Sequence, residues 1–85
     1  MAAMSRADLL DLFQRTATEI VERELPDLGE ATAISALGID SLGMLEIIGS
    51  MERQLEITLP DESLAGIQTV KDLVDLVQKR QGAAA

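Results

Sequence analysis

Eighty-five residues supply one small domain and too little chain for two cores. Fifteen acidic residues against seven basic ones leave a net charge of −8, and Phe13 is the only aromatic, so neither the basic face nor the stacking platform of a nucleic-acid binder is present. The lack of any cysteine or histidine removes disulfides, thiolate nucleophiles, imidazole catalysis and Cys- or His-ligated metals, and with them most small enzymes.

The first periodic segment predicts a helix from about Ala7 to Leu25. Ser5 is placed to cap it, with Asp8 three residues on in a capping-box position. Leu10, Phe13, Ala17, Ile20 and Val21 share one face that turns polar at Glu24, and Leu9 and Leu12 widen it. Pro26 is expected to stop this helix, because the residue before a proline avoids helical dihedrals. From Pro26 to Asp40 the period fails among Pro26, Gly29 and Gly38, while Ile34, Leu37 and Ile39 offer anchors. This stretch reads as a long packed loop.

A second helix is predicted over Ser41 to Leu55, with Asp40 as its N-cap. Ile47, Ile48, Met51 and Leu55 form its core stripe, extended by Met44. Leu42, Leu45 and Gly49 make a separate line rotated away from that stripe. Ile57 and Leu59 anchor the next connection, and Asp61 to Ile67 is long enough for one short helix. Thr69 then caps a last helix to about Gln81, again with Asp72 three residues on, and Val70, Leu73, Val74 and Val77 form its buried face. Residues 82–85 read as a frayed tail. No strand alternation or internal repeat occurs, so the expected fold is all-α: a small four-helix bundle with three main helices, one short helix and a long packed first loop, in a single domain whose core spans about residues 5–81.

The phrase Leu37-Gly38-Ile39-Asp40-Ser41-Leu42 stands at the start of the second helix. Here the sequence resembles the acyl carrier protein family. Glu46 five residues after Ser41, the run Ile57-Thr58-Leu59-Pro60-Asp61, and Thr69-Val70 at the last helix extend the likeness without a gap from Leu37 to Val77. The resemblance implies that Ser41 receives a 4′-phosphopantetheine group from coenzyme A through a phosphopantetheinyl transferase, and that Asp40 supports the reaction by helping that enzyme hold Mg²⁺. Acyl intermediates of fatty-acid, polyketide or related biosynthesis would then ride as thioesters on the arm. The chain itself would be a non-catalytic carrier, and a cysteine-free protein can carry thioesters because the sulfur comes with the cofactor.

The residues support that assignment independently. A serine at the first helical position sits where a phosphate meets free backbone N–H groups and the positive end of the helix dipole. Taken alone, Asp40-Ser41 reads as an ordinary capping pair; taken with the whole ordered pattern, the resemblance implies Ser41 as the attachment site. Ser5, Ser35, Ser50 and Ser63 lack the acid-Ser-Leu context.

Five of the eight net negative charges lie between Asp40 and Glu62. Charge of one sign clustered on a face steers partners of the other sign. By the family's pattern, acyl-loading, condensing and acyl-transfer enzymes would dock their basic patches here, at Glu46 and Glu52, with Leu42 and Leu45 as apolar contacts. Glu22, Glu24 and Asp75 read instead as solvated surface charge. Two departures stand out: Gly43 and Arg53 replace acids frequent in fatty-acid carriers, which points toward a polyketide or other specialised pathway.

With no spanning segment or signal-like start, the expectation is a cytoplasmic monomer that binds neither membrane nor nucleic acid. The competing reading is an acidic helical interaction module with no prosthetic group. A calcium-binding loop is set aside because the spaced ligands, central glycine and closing glutamate are missing.

Overall fold

The computed structural model describes residues 4–22, 24–25 and 28–84. The elements among these are helical: α1 (Arg6–Val21), a 3₁₀ turn (Ile34–Leu37), α2 (Ser41–Leu55), α3 (Asp61–Leu64) and α4 (Val70–Ala84).

The caps are those the sequence points to. Ser5 Oγ accepts the Asp8 N–H at 3.1 Å. At α4, Thr69 Oγ1 accepts the Asp72 N–H at 3.2 Å while Asp72 Oδ2 accepts the Thr69 N–H at 3.1 Å, a reciprocal capping box. Asp72 also accepts from the Gln68 N–H, and these backbone donors hold its carboxyl below the usual aspartate range.

α1 differs from expectation at its end and at the centre of its buried face. It stops at Val21, because Glu22 takes a left-handed conformation (φ 55°) and donates its N–H to the Thr18 carbonyl. Pro26, the expected stop, lies outside the described residues. Leu9, Phe13 and Ala17 are fully buried, flanked by Leu12 and Thr16, whereas Leu10, Ile20 and Val21 are only half-buried. The stripe is therefore centred on Leu9 and Phe13, and Leu10 marks its edge. α3 ends at Leu64, earlier than expected, and α4 continues to Ala84, so Gly82 is helical rather than part of a tail.

The long first loop is packed, and its backbone is tied to the start of α4. Ala33 pairs with Thr69 in an isolated antiparallel bridge, and Ile34 N–H donates to the Gln68 carbonyl at 2.9 Å. Val70 and Lys71 donate to the carbonyls of Thr32 and Glu30 at 3.0 and 2.8 Å. These are N–H groups of the first α4 turn, which have no intrahelical acceptor, so the loop satisfies them. Side chains reinforce the seam. Arg6, at the start of α1, donates Nε to Glu30 Oε1 at 3.0 Å and places Nη1 2.7 Å from Asp75 Oδ1, while Lys71 Nζ reaches Asp75 Oδ2 at 2.8 Å. Asp75 is thus an ion-pair partner and not a merely solvated charge. Beneath this seam, Phe13, Leu9, Ile47, Met51, Leu73 and Val70 fill the centre of the bundle.

Candidate functional site

The site is built by the turn into α2. Gly38 takes a left-handed conformation (φ 69°), a shape glycine adopts at no steric cost, and ends the 3₁₀ turn. Asp40 is extended, and its Oδ1 accepts the Gly43 N–H at 2.7 Å, capping α2. Ile39 and Met44 flank that cap in the positions of a hydrophobic staple, and both are half-buried. Ser41 follows as the first helical residue, and it is exposed. Among the described residues the N–H groups of Ser41 and Leu42 have no partner, so two donors and the positive helix end lie beside the Ser41 hydroxyl.

With each helical residue turned about 100° from the last, Leu42 and Glu46 project opposite the buried Ile47 and Met51, and Leu45 flanks them. Leu42 is 65% and Leu45 60% exposed, the two large apolar side chains left open to solvent among the described residues. Glu46 is exposed as well. The structure therefore brings Ser41, Leu42, Leu45 and Glu46 together on one surface.

Glu52 lies farther along α2, six residues past Glu46 and about 9 Å along the axis, and its Oε2 accepts the Leu59 N–H at 2.8 Å. Its carboxylate is committed to the chain that follows α2, a partner no pattern within α2 reveals. Arg53 is exposed and has no ion-pair partner among the described residues.

An apolar cleft of about 340 Å³ opens beside Ser41. Ile34, Ile39, Met44, Ile48, Leu64 and Ile67 line it, with Asp40, Ser41 and Leu45 at its edge. From the sequence, Ile34 and Ile39 are expected as loop anchors and Met44 and Ile48 as core, and nothing there brings them together with Leu64 and Ile67 as a site. The available signal is the staple pair Ile39 and Met44 next to the modifiable serine.

A serine hydroxyl at an open helix start, with free N–H groups for a phosphate and an apolar cleft for what hangs from it, fits a phosphopantetheine arm. Residues 9–77 match the family model described as the phosphopantetheine attachment site. The chain belongs to the acyl carrier protein family. It is 36% identical over 87 residues to the anthracycline acyl carrier protein DpsG of Streptomyces peucetius, covering all of both chains. It is also 36% identical to DauA, the anthracycline carrier of Streptomyces sp. strain C5, over 99% of each. Among solved structures, an acyl carrier protein from Thermotoga maritima superposes with a TM-score of 0.89 at 27% identity over the full length of both chains. The carrier holds acyl intermediates on a phosphopantetheine arm and does no catalysis itself, which displaces the alternative of an arm-free interaction module. No helix among the described residues is long and apolar enough to cross a membrane.

Proposed function

We propose that Ser41 is the residue that takes the arm, that a phosphopantetheinyl transferase installs it from coenzyme A, and that the cargo is a polyketide intermediate. The observation that carries the site is the exposed Ser41 at the first position of α2, next to the 65% exposed Leu42 and the mouth of the cleft. Asp40 supports it twice: it caps the helix that presents Ser41, and its second carboxylate oxygen is free among the described residues to help the transferase hold Mg²⁺. When bound, the arm supplies a terminal thiol and hence thioester chemistry. The chain contributes an anchored hydroxyl, free N–H groups for the phosphate, and a nearby apolar surface.

Pathway and partners follow from likeness and charge. Two relatives that match over 99% or more of the chain are anthracycline carriers. A structural neighbour, 31% identical with a TM-score of 0.75 over 89% of this chain and 99% of its own, was solved as the acetyl donor carrier bound to the HMG synthase of the curacin pathway. For this carrier the docking surface is Leu42, Leu45 and Glu46 around Ser41, presented as a monomer to basic patches on loading, condensing and acyl-transfer enzymes.

Incubation with coenzyme A, Mg²⁺ and a broad-specificity transferase should add the mass of one phosphopantetheine, and Ser41→Ala should add none. An adduct surviving that substitution removes Ser41 from the role. The malonyl-loaded carrier should support extension by an aromatic-polyketide ketosynthase in preference to a fatty-acid ketosynthase; equal use by both overturns the pathway assignment.

A further inference from the structure

The Thr58–Leu59 peptide, in the connection from α2 to α3, is gripped at both ends by oppositely charged side chains from two different helices. Its N–H donates to Glu52 Oε2 of α2 at 2.8 Å, and its carbonyl accepts from Arg80 Nε of α4 at 3.0 Å. The connection is further fixed by the Ile57 N–H, which donates to the Glu52 carbonyl at 3.2 Å, and by Leu59, which is 3% exposed in the core.

α3 is four residues long and has no fully buried side chain. Leu64 at its end and Ile67 just beyond pack half-buried against the core and form one wall of the cleft beside Ser41. With only these half-buried contacts, the position of α3 also depends on its two attachments. Behind it stands the capping box of α4; ahead of it stand Leu59 and the clamped peptide.

We infer that Glu52 and Arg80 are positioning residues that, by clamping the Thr58–Leu59 peptide, hold α3 as a wall of the cleft and so set the space available to cargo beside Ser41. The cargo half of this inference rests on the attachment of the arm at Ser41; the clamp half does not. Position 52 separates an acceptor from a charge. Glutamine keeps the oxygen that Leu59 needs and removes the negative charge, whereas alanine removes both.

The test begins with the unmodified protein, by amide hydrogen exchange resolved by NMR in the wild type, Glu52→Gln, Glu52→Ala and Arg80→Ala. The Leu59 amide and the amides of residues 61–67 should exchange roughly tenfold faster or more in both alanine variants and stay near wild type in Glu52→Gln. Amides of α1 should not change in any variant, which separates release of the clamp from loss of the fold. In the second arm, the protein is modified with an octanoyl-phosphopantetheine group and the methyl signals of Leu64 and Ile67 are compared before and after loading. Loading should shift them in the wild type and in Glu52→Gln, and at least half of the shift should be lost in the alanine variants. If Glu52→Gln behaves like Glu52→Ala, the charge and not the acceptor matters and the clamp is wrong. If α3 exchanges at the wild-type rate in both alanine variants, the clamp exists but does not hold α3, and the inference is overturned. A failure of the attachment reading shows itself separately, as absence of the mass adduct on Ser41, and leaves the exchange data standing.

Discussion

Gly43 and Ile39 fit against each other because position 43 has no side chain. A Cβ there would stand 2.9 Å from Ile39 Cγ2 and 3.1 Å from Asp40 Oδ1. The first contact is to a branch fixed at Ile39 Cβ, and the second is to the carboxylate that caps α2, so neither neighbour gives way easily. The bare turn lets the staple residue cross the helix start and leaves the cap in place.

Gly43→Ala should therefore lower stability even though alanine is the better helix former. The propensity gain is about 1 kcal/mol, and crowding a packed site costs about 1–3 kcal/mol, so the net loss should be of the order of 1 kcal/mol. That corresponds to a fall of roughly 4–8 °C in Tm for a domain of this size. Adding Ile39→Leu removes the offending Cγ2 at constant volume and should recover most of the loss. A Gly43→Ala protein that melts higher than wild type shows that the contact relaxes freely.

What the sequence made legible was local. Ser5, Asp40 and the pair Thr69 and Asp72 cap helices in the structure because a cap is a bond across three residues, and its signature is equally short. Leu42 and Leu45 stand exposed because a helical stripe fixes which side faces away from the core. The rest depends on partners distant in sequence or on backbone shape. The end of α1 is set by a left-handed glutamate that no glycine announces. Asp75 looks like surface charge until Arg6, sixty-nine residues earlier, is folded beside it. Glu52 gives no local sign of the Leu59 N–H that its carboxylate accepts. The cleft is assembled from three stretches, residue 34, residues 39–48 and residues 64–67, so no short window of sequence contains it.

Asp40 caps α2, and substitution separates that role from its proposed support of the transferase. Asparagine at a cap position accepts the same N–H about as well as aspartate, so Asp40→Asn should keep the wild-type Tm. Asp40→Ala should cost about 1 kcal/mol through loss of the bond to Gly43 N–H. If the charge helps a transferase hold Mg²⁺, modification of Ser41 should slow in both variants, with the defect in Asp40→Asn relieved by higher Mg²⁺. Full-rate modification of Asp40→Asn would confine Asp40 to capping.

The seam around Arg6 makes acid stability predictable in sign. Hydrogen bonds from the Arg6 guanidinium hold Glu30 below its ordinary value, and Lys71 together with Arg6 does the same to Asp75. A carboxyl whose folded pKa is depressed contributes stability that is fully present above its ordinary pKa and lost as pH falls through the depressed one. Arg6→Met removes the shared partner and lowers stability most where those carboxylates are ionised. The gap in Tm between wild type and Arg6→Met should hold from pH 7 to about pH 5 and shrink below about pH 4. A gap that persists undiminished at pH 3 would mean that Arg6 acts through packing rather than through its ion pairs.

The proposed docking surface divides into a charged part and an apolar part, and ionic strength tells them apart. Glu46 is exposed beside Ser41, so it acts on a partner through water at long range, where salt screens over about 8 Å at physiological strength. Glu46→Lys should cut the association rate with a basic partner enzyme roughly tenfold at low salt, and the defect should fade as salt rises. Leu42 acts only on contact; Leu42→Ala removes apolar area and should speed dissociation to a similar extent at every salt concentration. The control must change net charge as much as Glu46→Lys without disturbing the fold. Asp75 is unsuitable because it pairs with Arg6 and Lys71, whereas Glu24 is exposed and outside every helix. The measurement is the rate of acyl transfer to the modified carrier against ionic strength for wild type, Glu46→Lys, Leu42→Ala and Glu24→Lys, with circular dichroism confirming that each is folded. Equal defects at positions 24 and 46 would show that the enzymes sense only the total charge, and that no docking face is centred on Ser41.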